Sequence, residues 1–315
     1  MTGKSCSAAA PCSTANLGPG YDVFGLALDA LEDIVKVSGT SSHRSGRITI
    51  KNSDQAIPSM PESNSAGLVV KKMMQDFEIS DNTAIEITKG VPAGYGVGSS
   101  AASAAAAAMA FNALYGLKID KNRLVEYAAE GEIASAGTKH YDNVSASLLG
   151  GFVICGIASD GLQFTRLEPP KDLVLVVAVP SFEVPKKKTE MARSVLPKFV
   201  PLKDVVHNIS GAATIVAGFA LKDVETITRG IIDDPIIEAA RKHLIPGYES
   251  VKQNAISAGA LAVTMSGAGP SMIAFLKTNK NARRVDAAMT EGFEEAGVGS
   301  RTLICRPSNG ARLLA

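Results

Sequence analysis

Glycines at 94, 96 and 98, followed by Ser99, Ser100 and a run of alanines, form the stretch of this sequence best suited to chemistry. Glycine adopts positive φ without penalty and lets a backbone approach a ligand closely. The serines and alanines then open a helix, whose free N–H groups and positive dipole end suit a phosphate. Successive amides in such a loop make a nest for an anion, and a serine hydroxyl at the helix start can face a magnesium ion bridging phosphates. The loop, Pro92–Ser103, lacks the Gly-Lys-Ser/Thr of a Walker loop. On spacing alone it reads more readily as a glycine turn with a serine cap, because a lone glycine loop is a weak signal. Two further glycine-bearing stretches stand far from it, Ala10–Gly25 near the N-terminus and Ser266-Gly-Ala-Gly-Pro-Ser271 near the C-terminus.

The elements around these stretches can be read from periodicity. Alternation predicts strands at Ile48–Lys51 and Thr83–Lys89, and a helical face with Ser63 and Asn64 as cap candidates predicts a helix over Ser65–Phe77. Ala101–Tyr115 is a strong helix, because alanine has the best helix propensity and Gly116 suits its C-terminal end. A single helix is expected over Lys121–Ala136 and a strand over Gly151–Gly156. The second half opens with the apolar run Leu173–Val179. Helices are then expected near Lys187–Val195, Pro201–Phe219, Val224–Gly230, Gly247–Ala258 and Asn279–Ala296, and strands at Ala260–Met265, Ser271–Leu276 and Ser300–Cys305. The pattern is that of an α+β protein, with a domain boundary near Glu168-Pro169-Pro170 that divides the chain into 1–168 and 169–315.

Thirty-two Lys and Arg against 31 Asp and Glu leave a net charge of +1, and the longest basic run is Lys186-Lys187-Lys188. Whole-surface attraction to nucleic acid or an anionic membrane is therefore not expected, and a phosphate must be held locally. Four cysteines without a CxxC pair read as free thiols in a reducing compartment. The N-terminus carries no signal-peptide pattern and no apolar run resembles a membrane span, so a cytoplasmic protein is expected.

The three glycine-bearing stretches, in this order and at these separations, resemble the signature motifs of the GHMP kinases, and the resemblance covers nearly the whole chain. Within that superfamily the sequence is most similar to the homoserine kinases, through Ser13–Leu28, His140–Ser147 and Leu244-Ile-Pro-Gly-Tyr248. The resemblance implies an N-terminal ribosomal protein S5 domain 2-like domain and a ferredoxin-like C-terminal α/β sandwich, with ATP and Mg2+ bound between them. It implies phosphorylation of the side-chain hydroxyl of homoserine, a step of threonine biosynthesis, and it allows a homodimer.

Residue by residue, the resemblance gives the ATP phosphates to Pro92, Gly94, Gly96, Val97, Gly98, Ser99, Ser100 and Ala101, and the adenine side to Asn64. Ser100 and Glu132 match the metal site, although Glu132 taken alone reads as a solvated helix charge. Asn16 and Asp22 match contacts to the substrate's amine end. Arg193 and Arg241 match the arginines holding its carboxylate, where a two-pronged donor is the natural choice. His140, Asn143 and Thr189 match other pocket residues. Asn143 stands where mevalonate kinase-like members carry a catalytic aspartate, and an amide takes no proton at neutral pH. Catalysis by Asn143, Ser100 and Glu132 without a dedicated base is the implied mechanism. Cys12, Tyr21 and Tyr95 depart from common residues of the motifs; Tyr95 could stack near the nucleotide or shield the loop. Another acceptor (mevalonate, shikimate or a sugar) and a non-catalytic ligand sensor are the alternative readings.

Overall fold

Strand β1 (Lys4–Asn16) turns back into the long β2 (Gly20–Thr40), and the two pair antiparallel along almost their whole lengths. The computed structural model describes residues 4–40, 45–52, 57–159, 161–185 and 188–315. Lys186 and Lys187 of the basic run, and the first residue of the helix expected from Lys187, lie outside them. The β1–β2 register shifts between Pro11 and Cys12, and this bulge splits β2 into two working halves. Its later half pairs with β4 (Asn82–Thr88), which in turn pairs in parallel with β3 (Ile48–Asn52). Its early half pairs with β5 (Phe152–Ala158), which forms a hairpin with β6 (Gly161–Leu167).

One face of this sheet is covered by helices. Asn64 caps α1 (Ser65–Asp76) by accepting from the Gly67 N–H at 3.1 Å, as its residue type foretells. The alanine helix α2 (Ser99–Tyr115) lies between α1 and β1–β2, its alanines almost all fully buried against the sheet. Gly116 ends it in the left-handed conformation. The single helix expected over Lys121–Ala136 is instead α3 (Lys121–Glu130) and α4 (Glu132–Ala136), broken at Gly131. A side chain at Gly131 would press on the Ser65 carbonyl and on Ala104, so the glycine permits the close approach of α1 and α2. Helix α5 (Tyr141–Leu149) completes the layer.

The second sheet has the order β10-β7-β9-β8 and is antiparallel throughout. Its central strand β7 (Val174–Pro180) is apolar and buried on both faces, as its unbroken Val/Leu run implies. Three helices come next: α6 (Lys188–Ser194), α7 (Leu202–Leu221) and α8 (Val224–Gly230). Then come α9 (Ile237–Arg241), α10 (Tyr248–Ser257), β8 (Ala262–Met265) and β9 (Met272–Leu276). The chain closes with α11 (Ala282–Glu294), β10 (Ser300–Cys305) and β11 (Arg312–Leu314). Helices α10 and α11 cover one face of the second sheet. The other face shares a core with the first sheet, in which Leu26, Leu28 and Phe152 meet Leu175, Val177 and Phe275. The final strand β11 returns to pair with β1 in the first sheet. Among the described helices, α7 alone is long and apolar enough by composition to cross a membrane. Its inner face, through Gly211, Ile215, Gly218 and Phe219, is packed in the protein.

Candidate active site

The Gly94–Gly98 loop is fixed from two sides by the other glycine-bearing stretches. The carbonyls of Tyr95 and Val97 accept from the backbone N–H groups of Ser271 (3.1 Å) and Ser13 (3.2 Å). The Gly96 carbonyl accepts from the Ser266 hydroxyl (2.8 Å), which also shares a hydrogen bond with Thr14 Oγ1. A trans peptide points its N–H opposite to its C=O. With three successive carbonyls held by β1 and the β8–β9 turn, the N–H groups of Gly96, Val97 and Gly98 point away from those partners, and Gly96 and Gly98 line the cleft. Gly94, Gly96 and Gly98 all have positive φ, and Gly98 is the N-cap of α2. The arrangement is an anion nest at a helix N-terminus.

Below the loop lies a buried ion pair that sequence reasoning missed. Lys89, at the exit of β4, pairs with Asp33 at the bend of β2 and donates to the hydroxyls of Ser99 (2.7 Å) and Ser103 (3.0 Å). Asp33 also accepts from the N–H groups of Gly90 and Val91, each at 3.0 Å. Burial pushes the Lys89 ammonium down, against the pull of Asp33. The pair ties the start of α2 to the loop's entry. Its partners are 56 residues apart, and no local pattern marks them.

The cleft has a volume of about 380 Å³, within the size range of small-ligand sites. It gathers Asn16, Asp22, Asn64, Gly94, Gly96, Gly98, Ser99, Ser100, Glu132, His140, Asn143, Thr189, Arg193 and Arg241. Three expected phosphate-site residues do not line it with their side chains. Pro92 lines a separate depression, and Val97 and Ala101 are buried in the two cores. Tyr95 shares the depression with Pro92, its hydroxyl donating to the Phe182 carbonyl at 3.0 Å. It shields the outside of the loop and does not stack in the cleft.

Glu132 begins α4, and the break at Gly131 brings it to the cleft wall. It is 6% exposed, its Oε1 is buried without a hydrogen-bond partner, and its Oε2 lies 3.8 Å from His140 Nδ1. Burial opposes the His140 imidazolium, but Glu132 more than offsets it and the pKa stands raised. A buried carboxylate oxygen without a partner fits a hard cation. Among the described residues no group of three or more His, Cys, Asp and Glu could hold a metal by itself. A cation here would therefore share Glu132 and the Ser100 hydroxyl with a ligand's own oxygens.

At the other end, Asp22 pairs with Arg193 at 2.8 and 3.0 Å. Asn16 orients this corner, donating to the Gly267 carbonyl (2.8 Å) and accepting from the Asp22 N–H (3.1 Å). Both residues have positive φ, a conformation that Asn and Asp tolerate better than most. Arg241 is buried, its Nε donating to the Ala192 carbonyl at 2.8 Å. Among the described residues no carboxylate pairs with it, and burial pushes its pKa down. Tyr21 holds both guanidinium groups over its ring, at 5.1 Å for Arg241 and 5.6 Å for Arg193. Between the two ends lies α5. Ser13 Oγ donates to Asn143 Oδ1 at 3.0 Å, and the neighbouring Asp142 accepts from the Asn143 N–H at 2.7 Å. Burial, with Asp22 nearby, pushes the Asp142 carboxyl up to about 6.

The N-terminal GHMP kinase model matches residues 64–151 and the C-terminal GHMP kinase model residues 216–295. The chain is 38% identical to the homoserine kinase of Thermoplasma volcanium over 100% of its own length and 98% of the relative's. It is 42% identical to that of Methanopyrus kandleri over 87% and 88% of the two chains. The crystal structure of homoserine kinase from Cytophaga hutchinsonii superimposes with a TM-score of 0.90 at 34% identity, covering 99% of this chain and 98% of that one. With its motifs interlocked around one cleft and its relatives matched nearly end to end, the chain belongs to the GHMP kinases, in their homoserine kinase family.

Proposed function

We propose that this chain transfers the terminal phosphoryl group of ATP to the side-chain hydroxyl of L-homoserine, giving O-phospho-L-homoserine and ADP. The observation that carries the reading is the Asp22–Arg193 pair, with Arg241 beside it, in the same cleft as the anion nest. An α-amino acid presents an ammonium and a carboxylate side by side. Asp22 and Asn16 suit the first, while Arg193 and Arg241 suit the second. Mevalonate, shikimate and sugars carry no ammonium and would leave Asp22 with Arg193 as its partner and no ligand group to meet.

In this reading the phosphates lie on the Gly94–Ser100 loop and the start of α2, with Asn64 toward the adenine. Asn64 already spends its side chain on capping α1 and on the Pro58 carbonyl, so it shapes that wall. Ser100 and Glu132 would hold Mg2+, which when bound neutralises phosphate charge. His140 orients Glu132, and Thr189 lines the far wall. Asn143, held by Ser13, presents its amide toward the acceptor and takes no proton. The hydroxyl attacks in line, and its proton passes to a phosphoryl oxygen late in the step. A loose transition state asks little of a base, so positioning and charge carry the catalysis.

Several coarser expectations travel with this reading. The chain divides at 168/169 into an ATP-binding and a C-terminal domain, acts in the cytoplasm, and needs neither nucleic acid nor membrane. A homodimer is included: α7 carries no charged side chain between Asp204 and Lys222 and exposes Leu202, Val206 and Ile209. Sedimentation equilibrium giving only the monomer mass would remove that part.

The test is coupled ADP release with Mg-ATP and homoserine, threonine, serine, mevalonate, shikimate and galactose in turn. Homoserine is expected to give by far the largest kcat/KM. A larger value for mevalonate or a sugar would end the amino-acid assignment. Silence with every acceptor, from folded protein that binds ATP, would favour a ligand sensor.

A further inference from the structure

Lys188 opens α6 and stands in the cleft wall, half-buried. Its ammonium donates to the Gly269 carbonyl. That carbonyl lies directly against the phosphate loop: a Cβ placed on Gly96 would collide with the carbonyl oxygens of Ser266 and Gly269. Lys188 therefore sits one peptide away from the nest. An ammonium has three donors, and the Gly269 carbonyl accounts for one. Among the described residues no carboxylate pairs with Lys188. The charged neighbour that acts on it is another cation, Arg241, and dehydration with that cation nearby pushes the ammonium down to about 7. Among the described residues, every other cation of the cleft has compensation or an evident task. Lys89 has Asp33, Arg193 has Asp22, and Arg241 is held by Tyr21 and the Ala192 carbonyl at the amino-acid end. A desolvated cation without an anion is costly, and one placed between the nest and the arginines is built to receive negative charge that arrives with ligand.

We propose that Lys188 is a catalytic residue that binds the oxygens of the phosphoryl group as it passes from nucleotide to acceptor. This rests on the phosphotransfer reading above. In the step, the bond from the γ-phosphorus to the β–γ bridging oxygen breaks, and ADP leaves with that electron pair. The bond from the acceptor oxygen to phosphorus forms, and the hydroxyl proton ends on a phosphoryl oxygen. Lys188 keeps its protons and donates hydrogen bonds to the oxygens in flight. The amide nest would grip the phosphates from the loop, and Lys188 would add a cation from the neighbouring Gly269 turn. Negative charge spreads over the peripheral oxygens of the transferring group in such a transition state. A fixed cation there lowers the barrier more than it tightens the ground state.

The experiment compares the wild type with Lys188→Met and Lys188→Arg, each checked for a thermal midpoint no lower than that of the wild type. With Mg-ATP and homoserine, Lys188→Met is expected to lose about 10²–10³-fold in kcat, the range of a lost charge-stabilising donor. The KM for homoserine is expected to move less than about threefold, and Lys188→Arg to recover part of the rate. A kcat within threefold of wild type would overturn the proposal. So would a loss confined to the homoserine KM, which would move Lys188 to the carboxylate site. A second arm needs no turnover: calorimetric binding of ADP and of the β,γ-methylene analogue of ATP. Lys188→Met is expected to lose about tenfold or more in affinity for the triphosphate analogue and to keep its ADP affinity. Equal loss for both ligands, or loss for neither, would count against the assignment. If the wild type turned over no homoserine, the functional reading would fall, and this arm would still decide the role of Lys188.

Discussion

Replacing Asp142 by asparagine tests both the electrostatics of the cleft and the absence of a base. Asp142 is 4% exposed, on the second residue of α5, with its Oδ1 accepting from the Asn143 N–H at 2.7 Å. Burial and the nearby Asp22 carry its pKa from 3.8 to about 6, against the Asn143 N–H, which favours the charged form. A rise of about two units corresponds to about 3 kcal/mol of cost for keeping the carboxylate ionised in the folded protein. The sign follows from linkage. Below the unfolded value both states are protonated and no cost exists; it grows between about pH 4 and 6 and is complete above that. An asparagine keeps an acceptor for the Asn143 N–H but forfeits its charge, giving back about 1 kcal/mol. Asp142→Asn is therefore expected to stabilise the fold by about 1–2 kcal/mol at pH 7.5, with the gain gone by pH 4.

Guanidinium unfolding at the two pH values measures this, with coupled ADP release read on the same samples. A carboxyl titrating near 6 also has the pKa suited to a general base, so its chemistry alone does not exclude that role. Placement favours the proposed base-free reading: Asp142 also lines the cleft, but its Oδ1 is taken up by the Asn143 N–H, and the neighbouring cleft residue Asn143 carries an amide. Turnover of Asp142→Asn is expected within about tenfold of wild type. A variant less stable at pH 7.5 would refute the burial argument. Turnover down a thousandfold or more, with fold and homoserine affinity intact, would make Asp142 the base.

Other substitutions separate the roles within the cleft. Glu132→Gln and Ser100→Ala are each expected to lower kcat by at least about a hundredfold at saturating Mg-ATP, and Asn143→Ala only about tenfold, because the first two carry charge stabilisation and the third carries positioning; steady-state rates across a magnesium titration check the order. Arg241→Lys and Arg193→Lys keep the charge and lose the two-pronged fork; both are expected to raise the homoserine KM about ten- to a hundredfold while calorimetric ADP affinity stays unchanged.

The sequence disclosed those parts whose periodicity is local and whose burial is one-sided. Strand β4 alternates buried and open residues, so its alternation is readable and its limits are readable to within one residue. Helix α2 was marked by its alanines and by Gly116. Strand β1 was not legible, because from Ala8 to Asn16 every residue is buried: helices cover one face and the second sheet the other, and alternation vanishes when both faces are covered. Strand β2 was hidden by its bulge. Glu132 reads as a surface charge because nothing local says that Gly131 turns its helix toward the cleft. Lys188 disappears into a three-lysine run that resembles a solvated patch, and only Gly269 and Arg241 give it a place. The Asp33–Lys89 pair and the clasp of Tyr21 by two arginines are likewise contacts between distant segments, which one sequence does not display.

The three glycine-bearing stretches interlock through hydrogen bonds, although only one of them is proposed to face the phosphates. Glycines at 94, 96 and 98 make many loop conformations accessible, and an unconstrained loop would hold its amides in the nest only part of the time. Each carbonyl captured by Ser13, Ser266 or Ser271 removes that freedom before ligand arrives. The ordering cost, about 1–2 kcal/mol per fixed residue, is then met by folding and not by binding. On the proposed function, the first and third stretches would thus contribute to phosphate affinity by fixing the loop. The same stretches carry Asn16 and Gly267, whose hydrogen bond joins them at the amino-acid corner. The glycine loop and the Asn16–Asp22 corner are therefore built on one frame, and the proposed in-line transfer would run across that fixed separation.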